Sequence, residues 1–337
     1  MAPFYIFYMI VINFFVVFAK TTISSNLSNS TTVRLTFGFY KGTCPEAEPI
    51  VFARVAKAVS EDPRMAASLL RLHFHDCIVN GCDASVLLDD RAEFEGEKTA
   101  GPNINSLRGF EVIDAIKADL EATCAEAVSC ADILALAARD SVLISGGPGW
   151  EVQMGRKDSL SASKSAANNR IPNPNSDIAT LVSKFQAVGL SPRDVVILSG
   201  AHTMGKAHCS SFSSRLNGNA NINSPDINLE YLQALQQLCG SSNADTTLAN
   251  LDLATPAKFD NQYYINLLSG KGLLPSDQAL ISGDNGARQL VESFVQDPTS
   301  FFNEFKRSML KMGSLGPSTR GIGEIRRNCR VINKFNQ

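Results

Sequence analysis

Eight cysteines, spread from Cys44 to Cys329, constrain this chain more than any other feature. An even number behind a secretory-looking start points to four disulfides formed in an oxidising compartment. No CxxC pair is present, which argues against a zinc ribbon and a thioredoxin-like redox site. CxxCH is also absent, so a haem attached through that motif is excluded. Eight cysteines allow roughly 105 pairings, and their spacing alone does not choose among them. The start itself is an apolar run from Phe4 to Ala19, closed by Lys20 and a stretch rich in Ser, Thr and Asn. Such a run reads as the apolar core of a secretory leader and is short for a membrane span. The expected leader is residues 1–25, with cleavage between 19 and 25; an uncleaved N-terminal anchor is the competing reading. The mature chain is then secreted and free of the membrane. Sequons at Asn26 and Asn29 stand at its head.

Beyond the leader the pattern is helical. Apolar residues recur at helical spacing near 47–60, 63–76, 110–124 and 130–144, and again near 178–188, 192–204, 229–239, 261–268, 287–295 and 299–312. Ser129, Ser191 and Asn228 stand where N-caps are needed, and Pro192 follows Ser191 directly. Gly and Pro punctuate the joins, as at Gly146-Gly147-Pro148-Gly149 and around Pro172 and Pro174. Strand-like alternation is scarce, and neither a repeat nor a low-complexity linker divides the chain. The expectation is one large, loop-rich, all-α domain over about residues 33–334. With 44% hydrophobic residues the chain can bury a substantial core. A net charge of −2 without any block of Lys and Arg argues against nucleic acid as a partner.

Two segments carry chemistry. The first, RLHFHDCIVNGCDAS from Arg71 to Ser85, puts Arg71 and His75 on one helix face, four residues apart. A neutral imidazole accepts and returns a proton near neutral pH, and a guanidinium supports developing negative charge. That pair suits splitting a peroxide, although a lone His on a helix face is more often a packed core residue. His73, with His75 and Asp76, offers a zinc-hydrolase alternative, which the remaining histidines, His202 and His208, are too distant in sequence to complete. Asp76, Asp83 and Ser85 supply oxygens suited to calcium, with a turn at Asn80-Gly81 that can aim carbonyls inward.

The second segment, DVVILSGAHTMGKAHC from Asp194 to Cys209, ends an apolar helix at small residues and follows them with His202. Small neighbours let a flat macrocycle approach the backbone. A histidine on haem iron through one nitrogen donates its other N–H to a fixed acceptor, for which Asp277 is a candidate.

These segments, with GEKTAGPNINSLRGF from Gly96, CADILALAARDSV from Cys130, GGPGWEVQMGRKDS from Gly146, LDLATPAKFDNQYY from Leu251, KGLLPSDQAL from Lys271 and GEIRRNCRVIN from Gly323, resemble the class III secretory plant peroxidases. The resemblance runs over essentially the whole mature chain and implies a haem peroxidase fold with haem b between distal and proximal halves. It implies that His75 is the distal acid–base catalyst, Arg71 its cationic partner and transition-state stabiliser, and Asn103 the side chain that orients His75, with Glu97 behind it. It makes Phe74 a distal wall, His202 the axial iron ligand, Asp277 its hydrogen-bond acceptor and Pro172 part of the substrate rim. Two calcium ions are implied, one held by Asp76, Val79, Gly81, Asp83 and Ser85 with Glu97 nearby, the other by Thr203, Asp252, Thr255, Lys258 and Asp260. The family's disulfide pairing would be Cys44–Cys124, Cys77–Cys82, Cys130–Cys329 and Cys209–Cys239, and Asp132 with Arg156 would be a structural ion pair. Ile78, Met154, Lys157 and Met204 depart from the residues more usual in the family. The implied reaction reduces hydrogen peroxide and oxidises small phenolic donors in one-electron steps, in a monomer of the cell wall or apoplast. The alternative function is a catalytically silent, peroxidase-like wall-binding protein.

Overall fold

Helix is the dominant local structure in the computed structural model, which describes residues 35–216, 228–240, 246–316 and 323–333. The leader expected over residues 1–25, and Asn26 and Asn29, lie outside these residues. All the described residues belong to one compact unit, Thr32–Gln337. In chain order the helices are α1 (Ala47–Glu61), α2 (Arg64–Asn80), α3 (Phe110–Thr123), α4 (Cys130–Ile144), α5 (Lys164–Arg170), α6 (Ile178–Ala187) and α7 (Pro192–Ser199). They continue as α8 (Ser213–Leu216), α9 (Leu229–Cys239), α10 (Gln262–Leu268), α11 (Pro275–Ser282), α12 (Asn285–Gln296) and α13 (Pro298–Gly313). Two antiparallel pairs of short strands complete the set: β1 (Thr36–Phe37) with β2 (Gln153–Met154), and β3 (Lys206–His208) with β4 (Leu248–Asn250). None of the described helices is long and apolar enough to cross a membrane.

The caps read from the sequence form. Ser129 Oγ accepts from the Asp132 amide, Asn228 Oδ1 accepts from the Tyr231 amide, and Ser191 with Asp194 closes a reciprocal capping box ahead of Pro192. Helix α2 runs four residues past the expected end at Asp76, to Asn80, so Cys77 is helical and the turn begins only at Gly81. Gly81 adopts φ 92°, a conformation that a β-carbon would strain.

Helix α4 is apolar around nearly its whole circumference and is therefore a central helix. It packs against α1, α2 and α3 to make one core, which includes Leu69, Leu72, Ile113, Ile116, Leu120, Ile133, Leu134 and Leu136. A second core gathers α6, α7, α10, α12 and α13 around an aromatic cluster of Phe259, Tyr264, Phe294, Phe301 and Phe305. Removing one such fully buried side chain costs about 2–5 kcal/mol. A buried ion pair ties the cores together. Asp132 Oδ1 on α4 meets Arg156 Nη1 at 2.7 Å, and the same guanidinium donates to the Gly313 carbonyl that ends α13.

The four disulfides are Cys44–Cys124, Cys77–Cys82, Cys130–Cys329 and Cys209–Cys239, the pairs that the resemblance implies. The first joins the approach to α1 to the end of α3. The third joins the start of α4 to the C-terminal segment across 199 residues. Cross-links of this span stabilise a fold by about 2–4 kcal/mol, largely by restricting the unfolded chain.

Candidate active site

Against the second core lies a cavity of about 730 Å³, whose lining includes Leu70, Phe185, Val195 and Met309. Helix α2 supplies Arg71, Phe74 and His75 from one side; the end of α7 and the turn after it supply Ser199, Ala201, His202 and Met204 from the other. Pro172 also lines the cavity.

His75 is 4% exposed and its Nδ1 lies 2.6 Å from Asn103 Oδ1. An amide oxygen only accepts, so Nδ1 carries the hydrogen and Nε2 keeps its lone pair. Burial and, secondly, the Arg71 charge hold the imidazolium well below its ordinary pKa, so the ring is neutral and available as a base. Asn103 is fixed in turn: its Nδ2 donates to the Glu97 backbone carbonyl at 2.8 Å. Glu97 thus stands behind Asn103 through its main chain, and its carboxylate points elsewhere.

Arg71 shares the cavity with His75, but its guanidinium donates to the carbonyls of Pro102 (2.8 Å) and Ser106 (3.0 Å) and to Ser106 Oγ (3.1 Å). Burial and the charge of Arg64 bring its pKa down to about 10, so it stays cationic at neutral pH. His73 takes a different direction from His75. Its ring lies 3.6 Å from Cys77 Sγ and lines a separate small cavity with Trp150 and Arg156. His73, Cys77 and Cys82 are close enough to hold a metal, yet both sulfurs are spent in a disulfide. The zinc reading therefore finds no converging ligand set in His73, His75 and Asp76.

On the opposite wall His202 Nδ1 lies 2.7 Å from Asp277 Oδ1. Asp277 occupies the third position of α11, where its other oxygen accepts from the Leu274 amide at 2.9 Å. A second donor reaches the same Oδ1, the Tyr263 hydroxyl at 3.0 Å. Sequence reasoning missed it, because position 263 sits in an aromatic pair that reads as core. The small residues before His202 divide their roles. Ala201 faces the cavity, whereas a β-carbon on Gly200 would meet Tyr264 Oη at 2.4 Å and the Phe301 ring. Gly200 is therefore required by core packing rather than by the cavity.

The remaining expected residues fall into two clusters. Asp76, Asp83, Ser85 and Glu97 are all buried, and Asp76 Oδ1, Ser85 Oγ and Glu97 Oε2 have no hydrogen-bond partner. Desolvation, reinforced by the Asp83 charge, raises Asp76 well above the usual carboxyl range and pushes Glu97 up to about 8; desolvation raises Asp83 as well. Orphaned buried oxygens on crowded carboxyls fit a hard cation. The Val79 carbonyl accepts from the Arg170 guanidinium, and Gly81 begins the turn. The second cluster lies directly behind His202. Thr203 Oγ1 is 3.2 Å from Asp252 Oδ2 and 3.1 Å from Asp260 Oδ1, and Thr255 Oγ1 bridges the same two carboxylates. The Lys258 ammonium pairs with Asp260 at 3.5 Å.

A model of the family described as Peroxidase matches residues 51–297. Peroxidase 40 of Arabidopsis thaliana is 60% identical over 302 residues, covering 89% of this chain and 86% of its own. Peroxidase 9 of the same plant is 53% identical over 298 residues, 88% of this chain and 86% of that protein. Peroxidase 4 of Vitis vinifera is 50% identical over 323 residues, 95% of this chain and 99% of its own. The chain therefore belongs to the class III plant peroxidases and is a peroxidase enzyme. Membership implies haem as the cofactor, and the cavity fits it: two imidazoles from different elements line it, each with Nδ1 held by an oxygen, so that Nε2 is the nitrogen left for a ligand or substrate.

Proposed function

We propose that this protein is a secreted haem peroxidase that reduces hydrogen peroxide and oxidises phenolic donors one electron at a time. The observation that carries the reading is the pair of histidines facing one cavity, each with Nδ1 tied back to a fixed oxygen and Nε2 left free. His202 is the side chain suited to hold haem b iron, and Phe74 and Met204 line the same cavity. Bound there, the haem supplies the redox chemistry, and the protein supplies position and proton handling.

His75 Nε2 takes a proton from peroxide as it enters the distal side and returns it to the departing oxygen. Asn103 keeps the ring in the tautomer this requires. Arg71 contributes positive charge from the same helix face; the 102–106 loop takes three of its five N–H groups, which leaves Nε–H and one Nη1–H to support the departing oxygen. Asp277 gives His202 an anionic partner, which makes the ligand nitrogen a stronger electron donor. Pro172 belongs to the rim where a donor reaches the cavity edge. The cluster of Asp76, Asp83, Ser85 and Glu97, with the Val79 and Gly81 carbonyls, would hold one calcium ion. Thr203, Asp252, Thr255 and Asp260, with the Lys258 carbonyl, would hold a second. The disulfide framework supports the oxidising, extracellular setting of the cell wall or apoplast.

Rapid mixing of the purified, calcium-loaded protein with hydrogen peroxide tests this. A Soret band that falls and shifts on mixing, then recovers when guaiacol is added, is the expected result. A Soret band indifferent to peroxide overturns the distal assignment. Correctly folded protein with no Soret band would instead favour a silent wall-binding relative.

A further inference from the structure

Asp277 Oδ1 receives two hydrogens, and only one comes from His202. The Tyr263 hydroxyl is 3.0 Å from that oxygen, against 2.7 Å for His202 Nδ1. Tyr263 is 1% exposed on α10, and its ring stands edge-on to the His202 ring, 6.1 Å between centroids. Its neighbour Tyr264 is equally buried but turns the other way, donating to the Val196 and Ile197 carbonyls near the end of α7. The aromatic pair thus splits into one hydroxyl that touches the proximal carboxylate and one that does not.

A carboxylate oxygen shared by two donors is a weaker acceptor toward each than one held by a single donor. The strength of the pull on His202 Nδ1–H sets how anionic the imidazole becomes, and hence how much electron density its other nitrogen delivers to a metal. We propose that Tyr263 is a positioning residue that moderates the His202–Asp277 pair, holding Asp277 Oδ1 and limiting the anionic character of the axial imidazole. This rests on the reading of His202 as the haem ligand. The buried phenol donates constantly, so the moderation is a fixed setting of the site. Leu274 N–H holds the second oxygen, Oδ2, so loss of the phenol leaves the carboxylate anchored but leaves Oδ1 to His202 alone.

The test compares Tyr263→Phe with Tyr264→Phe in the haem- and calcium-loaded protein. The readouts are the ferric/ferrous equilibrium and the iron–histidine stretching frequency of the ferrous form. Tyr263→Phe is expected to raise that frequency and to favour the ferric state. At the poise that half-reduces the wild type, its ferrous-to-ferric ratio should fall about three- to tenfold, which is about 30–59 mV at 59 mV per tenfold for one electron. Tyr264→Phe should leave both readouts near wild type while costing similar stability. Replacing Tyr263 with 3-fluorotyrosine keeps the shape, strengthens the donor and should move both readouts the opposite way. That arm remains decisive if Tyr263→Phe fails to fold. An unchanged equilibrium in the Tyr263 variants, or an equal shift in Tyr264→Phe, overturns the proposal while leaving the peroxidase reading intact. Wild-type protein without a haem band overturns both.

Discussion

The two walls of the cavity solve the same problem with different acceptors. Each presents a histidine whose Nδ1 must carry the hydrogen so that Nε2 can act. On the distal wall the acceptor is the neutral amide oxygen of Asn103, 2.6 Å away. On the proximal wall it is the carboxylate of Asp277, 2.7 Å away. A neutral acceptor fixes the ring and favours its protonated form less than burial and the Arg71 charge disfavour it, so His75 stays a free base. An anionic acceptor pulls on the N–H and enriches the ring, which suits a metal ligand. The distances are nearly equal, so the charge of the acceptor separates proton handling from ligation.

The largest expected break of this comparison is His75→Ala. The peroxide step, read by rapid mixing, should slow by about 10²–10⁴-fold. Haem content should hold, because the proximal wall is untouched.

Asn103→Asp makes the two walls alike. An anion beside His75 stabilises the imidazolium, so its pKa rises from well below the ordinary value. The base is then lost to protonation at a higher pH. The acid limb of the peroxide-step pH profile should move up by about one unit or more, each unit representing about 1.4 kcal/mol. A profile that keeps its acid limb would mean that His75 is not the group titrating.

Removing calcium should separate the walls by stability. The distal cluster of Asp76, Asp83 and Glu97 leaves oxygens orphaned, whereas Thr203 and Thr255 bridge the proximal carboxylates. A chelator should remove about 2.7 kcal/mol for a site that had been held at a hundred times its dissociation constant. Hydrogen exchange should quicken more around residues 76–85 than around 252–260. Equal quickening would show that the internal bridges give the proximal cluster no advantage.

Met204→Leu is the smallest change. Met204 is 2% exposed and lines the cavity two residues from His202. A swap of similar volume should cost less than about 1.5 kcal/mol. It also removes a sulfur that peroxide can oxidise, so survival under repeated peroxide turnover should lengthen modestly.

Much of this was legible in the residues. The strongly periodic helices α1, α3, α4 and α13 were expected within a few residues, as were the three caps, because periodicity and capping are local. Helices α5 and α8 and the separate helix α11 were not. Segment 164–170 is polar and short, and its helix is held by tertiary bonds: Asn168 Oδ1 accepts from Gly101 N–H, and Arg170 reaches the Val79 carbonyl. Arg71 was expected beside His75 and does share its cavity, but nothing local foretold that its guanidinium would be held by the 102–106 loop.

The sequence by itself determined the helical class, the cysteine count and the two histidine segments, since residue type and short-range spacing set these. Through its long motifs it also determined the family. Tertiary structure alone brought the acceptors that the motifs named to their histidines, across 28 residues for His75 and Asn103 and 75 for His202 and Asp277. It alone turned Tyr263 onto Asp277 and Tyr264 away. Those pairings depend on how α10 and α11 pack behind the proximal wall, and no short-range pattern encodes the relative placement of packed helices.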